Sequence, residues 1–345
     1  MLTQPDLFDF PTDVSRHAVA RTPEQSRASP RSPHAITPPL DASAVDHGLR
    51  VFDLELAAAT AGLVAGAEID AMVILRAPVA RSTTAAVLPE LDVAARDRIG
   101  DLVLAWVDAL GPVIASRGTP SRWGRTRRAE NRAREALHAA LTQVGCHDAP
   151  AVATVLAAGI QVPVAAGAWL LVQLAGPSEA WQALRSRPGL ARSVAWETVR
   201  LCPPTWITAR ITTEDVVLGA TRLATGSVVM VSPLLLGRLE TLAPGLQAGE
   251  AALDRFDPLR WDQARVRPGA WVPFGAGPHA CPGRNLGLAQ LTQLAHWARG
   301  WIMTPVQQVR IDQSRGIFPH PAVLRLGAPD PAGSDPGRSF VDGSA

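Results

Sequence analysis

Residues 149–178, APAVATVLAAGIQVPVAAGAWLLVQLAGPS, contain no charged side chain. A run of that length and polarity either crosses a membrane or lies at the centre of a large core. Its composition argues against the membrane. Ala and Gly outnumber Leu and Ile, while Gln161, Pro163 and Gln173 lie inside, and neither an arginine cluster nor an aromatic belt closely brackets the ends. The run therefore reads as the central buried helix of a large domain, with no membrane span.

The rest of the chain supplies partners for such a helix. At 345 residues and 47% hydrophobic, it has enough apolar surface for one large domain or two ordinary ones. Residues 45–65 repeat Leu49, Phe52, Leu56, Ala59 and Leu63 at helical spacing, residues 91–115 read as one or two helices, and residues 284–301 as another. Residues 207–232 alternate β-branched and polar side chains with Gly at the turns, which predicts two or three short strands, and residues 309–327 predict a final strand pair. Residues 1–44, rich in Pro, Ser, Thr and Arg, read as a poorly ordered or atypical N-terminal segment, and residues 328–345 as a disordered tail. The fold class expected for 45–327 is mainly α with a minor β-sheet lobe.

Charge and cysteine usage narrow the function. The net charge of +2 demands neither nucleic acid nor a membrane surface as partner. Six arginines run from Arg122 to Arg134, but Glu130 lies among them, Glu135 follows and Trp123 is the single aromatic residue between them, too little aromatic interleaving for a nucleic-acid surface, so they read as a solvated helix face. Three widely spaced cysteines, 146, 202 and 281, form no disulfide framework, and the N-terminus lacks the basic and apolar regions of a signal peptide, so the expected location is cytoplasmic. The chain has no lysine and no tyrosine. Phosphate-loop, Schiff-base and kinase chemistry that needs lysine is thereby excluded, and neither GxSxG nor HExxH occurs.

One cysteine has an unusual setting. In WVPFGAGPHACPGRNLG, residues 271–287, Cys281 precedes Pro282, and the following helix is expected to begin there. A helix N-terminus with free N–H groups stabilises a thiolate and lowers its pKa. Gly275, Gly277 and Gly283 clear side chains from around the sulfur, which lets a flat ligand approach. Such a thiolate could be a nucleophile, a metal ligand or a core thiol. A nucleophile needs an aimed base, which the spacing of His279 does not ensure, and zinc needs more ligands than one Cys and one His. Haem iron needs one axial thiolate.

Phe274-Gly-x-Gly-x-His-x-Cys281-x-Gly283 resembles the haem-binding loop of the cytochrome P-450 family, the haem-thiolate monooxygenases. Glu197-x-x-Arg200 resembles that family's ExxR helix, and Phe256-Asp-Pro-Leu-Arg-Trp261 the segment between ExxR and the cysteine loop. The resemblance runs from about residue 85 to 327. It implies haem b (iron protoporphyrin IX) with Cys281 as axial ligand, Phe274 and Gly283 in the cofactor loop, and Glu197, Arg200 and Arg260 as a buried structural triad. It also implies that His279 and Arg210 meet the haem propionates. Complete members are longer, and the shortfall lies N-terminally, so a reduced N-terminal lobe and substrate roof are expected.

The resemblance assigns the charge-free helix to the distal face, where the family pattern is Ala-Gly-x-acid-Thr. Here the sequence is Ala158-Gly159-Ile160-Gln161-Val162. The acid and alcohol that ordinarily deliver protons during oxygen activation are an amide and an isopropyl group. Pro163 removes the N–H that would bond the Gly159 carbonyl, so a kink with a free carbonyl is expected, with Gly159, Gln161, Val162 and Pro163 lining the distal pocket. Three functions follow from the resemblance. One is a tailoring hydroxylation, desaturation or coupling of a small secondary metabolite, with electrons from a ferredoxin or flavin reductase. Another is peroxide-dependent or non-oxygenating chemistry such as dehydration or rearrangement. The last is a non-catalytic partner protein.

Overall fold

The computed structural model describes residues 8–9, 37–116, 120–121, 123–239, 253–261, 271–312 and 317–328. Its helices in chain order are α1 (Ala42–Thr60), α2 (Ala71–Ile74), α3 (Arg76–Val87), α4 (Val93–Ile114) and α5 (Arg125–Gln143). Then follow α6 (Ala149–Gln173), α7 (Glu179–Ser186), α8 (Ala191–Leu201), α9 (Pro233–Leu236) and α10 (Arg284–Ala298). Several starts are fixed locally, because Asp41, Asp92 and Asp148 each accept the backbone N–H three residues ahead at 2.8, 2.8 and 3.0 Å. The Asp41 cap explains why α1 begins inside the segment expected to be poorly ordered. The expectations for residues 1–7, 10–36 and 329–345 lie outside the described residues.

The charge-free run forms α6, the one described helix long and apolar enough to cross a membrane. From Val164 to Leu171 it is buried on every side, which is the arrangement of a core helix. α3, α4, α5, α8 and α10 all pack against it. Small residues set these distances. A Cβ on Gly167 would come within 2.7 Å of a Leu75 methyl and 3.0 Å of a Leu294 methyl. A Cβ on Gly48 of α1 would lie 2.9 Å from the Ala86 Cβ. Ser82 donates to the Gly48 carbonyl at 2.7 Å and accepts from Gln290 of α10 at 2.9 Å, tying three helices together.

α3 carries little helical signal of its own. Its residues, RAPVARSTTAAV, include Pro and adjacent β-branched threonines, and its propensity is weak. Tertiary burial compensates, since Pro78–Ala80 and Ser82–Ala86 are all buried. The arginine-rich α5 also departs from expectation. Arg125, Arg128 and Arg132 are exposed, but Glu130 is buried, accepting from Trp106 at 3.1 Å and Arg134 at 3.0 Å, with Arg127 at 3.2 Å. A carboxylate with several donors tolerates burial that a lone one does not.

The strands are short and pair antiparallel. β1 (Phe8–Asp9), β3 (Thr208–Thr212) and β6 (Val228–Val231) form one sheet with β3 central, Arg210 opposite Val229. β2 (Glu68–Asp70), β10 (Val323–Gly327) and β7 (Ile302–Pro305) form a second with β10 central. β4 (Val216–Leu218) pairs with β5 (Thr221–Leu223), and β8 (Arg310–Asp312) with β9 (Phe318–His320). The fold is helical with a minor β lobe, as expected.

Candidate functional site

α8 turns Glu197 and Arg200 inward, both at 0% exposure, and the i,i+3 spacing lets the guanidinium reach both carboxylate oxygens, at 2.8 and 2.6 Å. Arg200 also donates to the carbonyls of Gly237 (2.9 Å), Leu253 (2.8 Å) and Arg255 (3.2 Å), so its five N–H groups are all used. Arg260, in a 3₁₀ turn at Pro258–Trp261, points Nε at Glu197 from 3.4 Å. The three residues expected to meet therefore do. The backbone N–H of Asp257 and the indole N–H of Trp261 also bond Glu197, at 3.0 and 2.8 Å, which the sequence reading missed. The only available signal was the position of Trp261, immediately after Arg260.

Beside this cluster lies an aromatic group. Trp196 stacks on Trp261 with centroids 5.6 Å apart and meets Trp271 and Phe274 edge-on at 6.4 and 5.9 Å. Trp271 and Phe274 open the cysteine loop, so the aromatic group joins the ion pair to that loop. Gly275 and Gly277 adopt φ of 70° and 74°, which a side chain would strain. The Phe274 carbonyl accepts the Cys281 amide at 2.7 Å and fixes the backbone at the sulfur-bearing residue.

α10 begins at Arg284 with Gly283 as its cap, not at Pro282, so Cys281 stands clear of the helix by a turn. The expected lowering of its thiol pKa is not found. Protein atoms crowded around the sulfur push the thiol up, outweighing the Gly283 N–H and the Arg284 charge, although solvent still reaches the side chain. A Cβ on Gly283 would meet nothing within 4 Å. Among the described residues no three His, Cys, Asp or Glu side chains gather as a metal site. One solvent-reachable sulfur beside open space suits an axial ligand and does not suit a multi-ligand ion.

α6 is open along one stripe of its first half. Ala151, Thr154 and Ala158 are exposed, and Gln161 and Val162 continue the stripe half-buried. Gly159 does not face that stripe. Its carbonyl accepts the Thr83 hydroxyl of α3 at 3.2 Å, so the carbonyl expected to be free is bonded. The helix continues through Pro163 without a break. Arg210, buried on β3, turns one guanidinium nitrogen onto Thr208 Oγ1 (3.0 Å) and the Ala209 carbonyl (2.8 Å). His279 is half-buried, two residues before Cys281.

A family profile described as Cytochrome P-450 matches residues 178–298, which hold Glu197, Arg200, Arg260 and Cys281. The chain is 34% identical over 181 residues to Cyclooctatin synthase of Streptomyces melanosporofaciens, covering 46% of this chain and 38% of that protein. It is 36% identical over 119 residues to Cyclooctat-9-en-7-ol 5-monooxygenase of the same organism, covering 33% and 24%. Pentalenene oxygenase of Streptomyces avermitilis is 32% identical over 162 residues, covering 44% and 33%. The chain thus spans well under half the length of these relatives. The crystal structure of CYP175A1 from Thermus thermophilus superposes with a TM-score of 0.71 at 20% identity, over 93% of this chain and 85% of that one. A six-coordinated cytochrome P-450 from the same species gives 0.70 at 19% identity, over 93% and 88%.

Proposed function

We propose that this chain is a haem-thiolate oxidoreductase of the cytochrome P-450 family, which the matches to that family support, and that it tailors a polycyclic small molecule of the terpenoid class. The observation that carries the proposal is Cys281, a single solvent-reachable thiol on a glycine loop, joined through Trp271 and Phe274 to the buried Glu197–Arg200 pair. The substrate class is supported by relatives named for cyclooctat-9-en-7-ol and pentalenene, and by the largely apolar open stripe of α6.

In this reading Cys281 would hold the iron of haem b, Phe274 and Gly283 would belong to the loop that receives it, and Arg210 and His279 would serve its propionates. When bound, the haem supplies iron-centred oxidation, with electron density donated by the thiolate. The protein does the rest by positioning. The Phe274 carbonyl fixes the Cys281 backbone, and the Gly283 N–H is aimed at the sulfur. Crowding pushes the Cys281 thiol up from its ordinary range, and iron ligation would draw on the thiolate form. The exposed Ala158 and half-buried Val162 offer apolar surface to a hydrocarbon substrate. Gln161 can orient a substrate hydroxyl but cannot supply a proton by titrating. A ferredoxin or flavin reductase supplies electrons.

The absence of a titratable side chain from Ala151, Thr154, Ala158, Gln161 and Val162 favours a second reading, peroxide-dependent or non-oxygenating chemistry at the same Cys281. The test is the reduced, carbon-monoxide-bound spectrum of wild type and Cys281→Ala. A thiolate-type band lost in the variant is expected, and a colourless wild type would sink both readings. Product formation from cyclic terpene alcohols with reductase and NAD(P)H, set against hydrogen peroxide, then separates them.

A further inference from the structure

Trp261 touches both the buried ion pair and the aromatic group. Its indole N–H donates to Glu197 Oε2 at 2.8 Å, inside the buried ion pair. Its ring stacks on Trp196 with an interplanar angle of 23° and packs against Trp271 with centroids 6.1 Å apart. Trp271 is fully buried, yet its own Nε1 has no hydrogen-bond partner among the described residues, so packing alone holds that ring. Trp196 and Phe274 are likewise held by ring contacts. Packing fixes distance well and orientation poorly, whereas a hydrogen bond to a buried carboxylate fixes both. The Trp261 N–H is thus the directional anchor of the aromatic group, and the loop that begins at Trp271 ends on Cys281.

We propose that Trp261 is a positioning residue for the Cys281 loop, transmitting the geometry of the Glu197–Arg200 pair to the loop through its indole N–H and its own ring contact with Trp271. This rests on the haem-thiolate reading for its role in the working protein. The mechanical link from Glu197 to the loop stands independently of the haem.

The discriminating variants are Trp261→Phe, which keeps a ring and loses the N–H, and Trp196→Phe, which trims the stack without touching Glu197. The same holoprotein preparations are compared by the thiolate-type fraction of the reduced, carbon-monoxide-bound spectrum and by the rate of haem loss to a scavenging globin. Trp261→Phe should lose part of the thiolate-type band and release haem about tenfold faster, the effect of one charge-assisted hydrogen bond. Trp196→Phe should stay within about twofold of wild type on the same scale. Equal behaviour of the two variants, or wild-type behaviour of Trp261→Phe, overturns the proposal. If Trp261→Phe does not accumulate, β-(3-benzothienyl)alanine at position 261 keeps the shape and removes only the N–H, and the same outcomes decide. If the wild type binds no haem, the haem reading falls alone. The link is then judged by the alkylation rate of Cys281, read by peptide mass, which a freed loop raises and an unlinked Trp261 leaves unchanged.

Discussion

The Thr83 hydroxyl donates to the Gly159 carbonyl at 3.2 Å, across the interface of α3 and α6. In an uninterrupted helix that carbonyl would accept the N–H four residues ahead, but that residue is Pro163. A neighbouring helix therefore supplies the bond the sequence removes, and α6 runs on through the proline. Thr83→Val keeps the shape and leaves the carbonyl unpaired. It should cost ~1–3 kcal/mol in urea unfolding, with Thr83→Ser closer to wild type.

The same contact makes Gly159 sensitive to size. A Cβ there would lie 2.9 Å from the Thr83 Cγ2. Gly159→Ala should destabilise by about 1–3 kcal/mol, and less in a Thr83→Ser background, where that methyl is gone. Additive costs in the double variant would show that the clash is relieved elsewhere.

Removal of Glu197 should have the larger effect. Glu197→Ala leaves the fully buried Arg200 without its counter-charge and should cost ~3–5 kcal/mol. Arg260→Met should cost less, about 1.5–3 kcal/mol, because its contact is long at 3.4 Å and Glu197 keeps its other donors. Denaturant titration gives the ranking, and an inverted order would contradict it.

Burial pushes the Cys202 thiol from an ordinary value of 9.0 up to about 11, against the lowering pull of Gln173, Arg238 and Arg200. Its contribution to stability is complete below pH 9.0 and is lost as pH rises towards about 11, because there the unfolded chain has released a proton that the folded chain retains. The Tm of wild type should therefore fall more steeply over that window than the Tm of Cys202→Ala.

On the open stripe of α6, Gln161→Asp with Val162→Thr introduces an acid and an alcohol at two positions that carry neither. If dioxygen and reductase are the natural cosubstrates, turnover with NAD(P)H should rise by at least about tenfold relative to turnover with peroxide. An unchanged ratio would mean that protons reach the site without these side chains.

Several of these features were legible in the sequence. The charge-free run predicts a buried helix because 25 residues without a charge have no soluble alternative to the core, and α6 fills that place. The spacing Glu197-x-x-Arg200 places two opposite charges on one helical face, and the glycines before Cys281 mark a loop that needs positive φ. These are local consequences of period and backbone freedom.

Other features depended on residues distant in sequence. α3 carries little intrinsic helical signal and forms because its small side chains let neighbouring helices approach closely. Glu130 sits amid arginines that suggested a solvated face, yet Trp106 and its neighbours draw it into the interior. The Cys281 thiol was expected to be lowered by a helix start, but α10 starts later and crowding around the sulfur outweighs the nearby dipole and charge. The sequence by itself determined which segments carry the chemistry, because periodicity, caps and glycine positions are local. Only the tertiary structure decided what each polar group meets, because desolvation and hydrogen-bond partners depend on atoms brought together from across the chain.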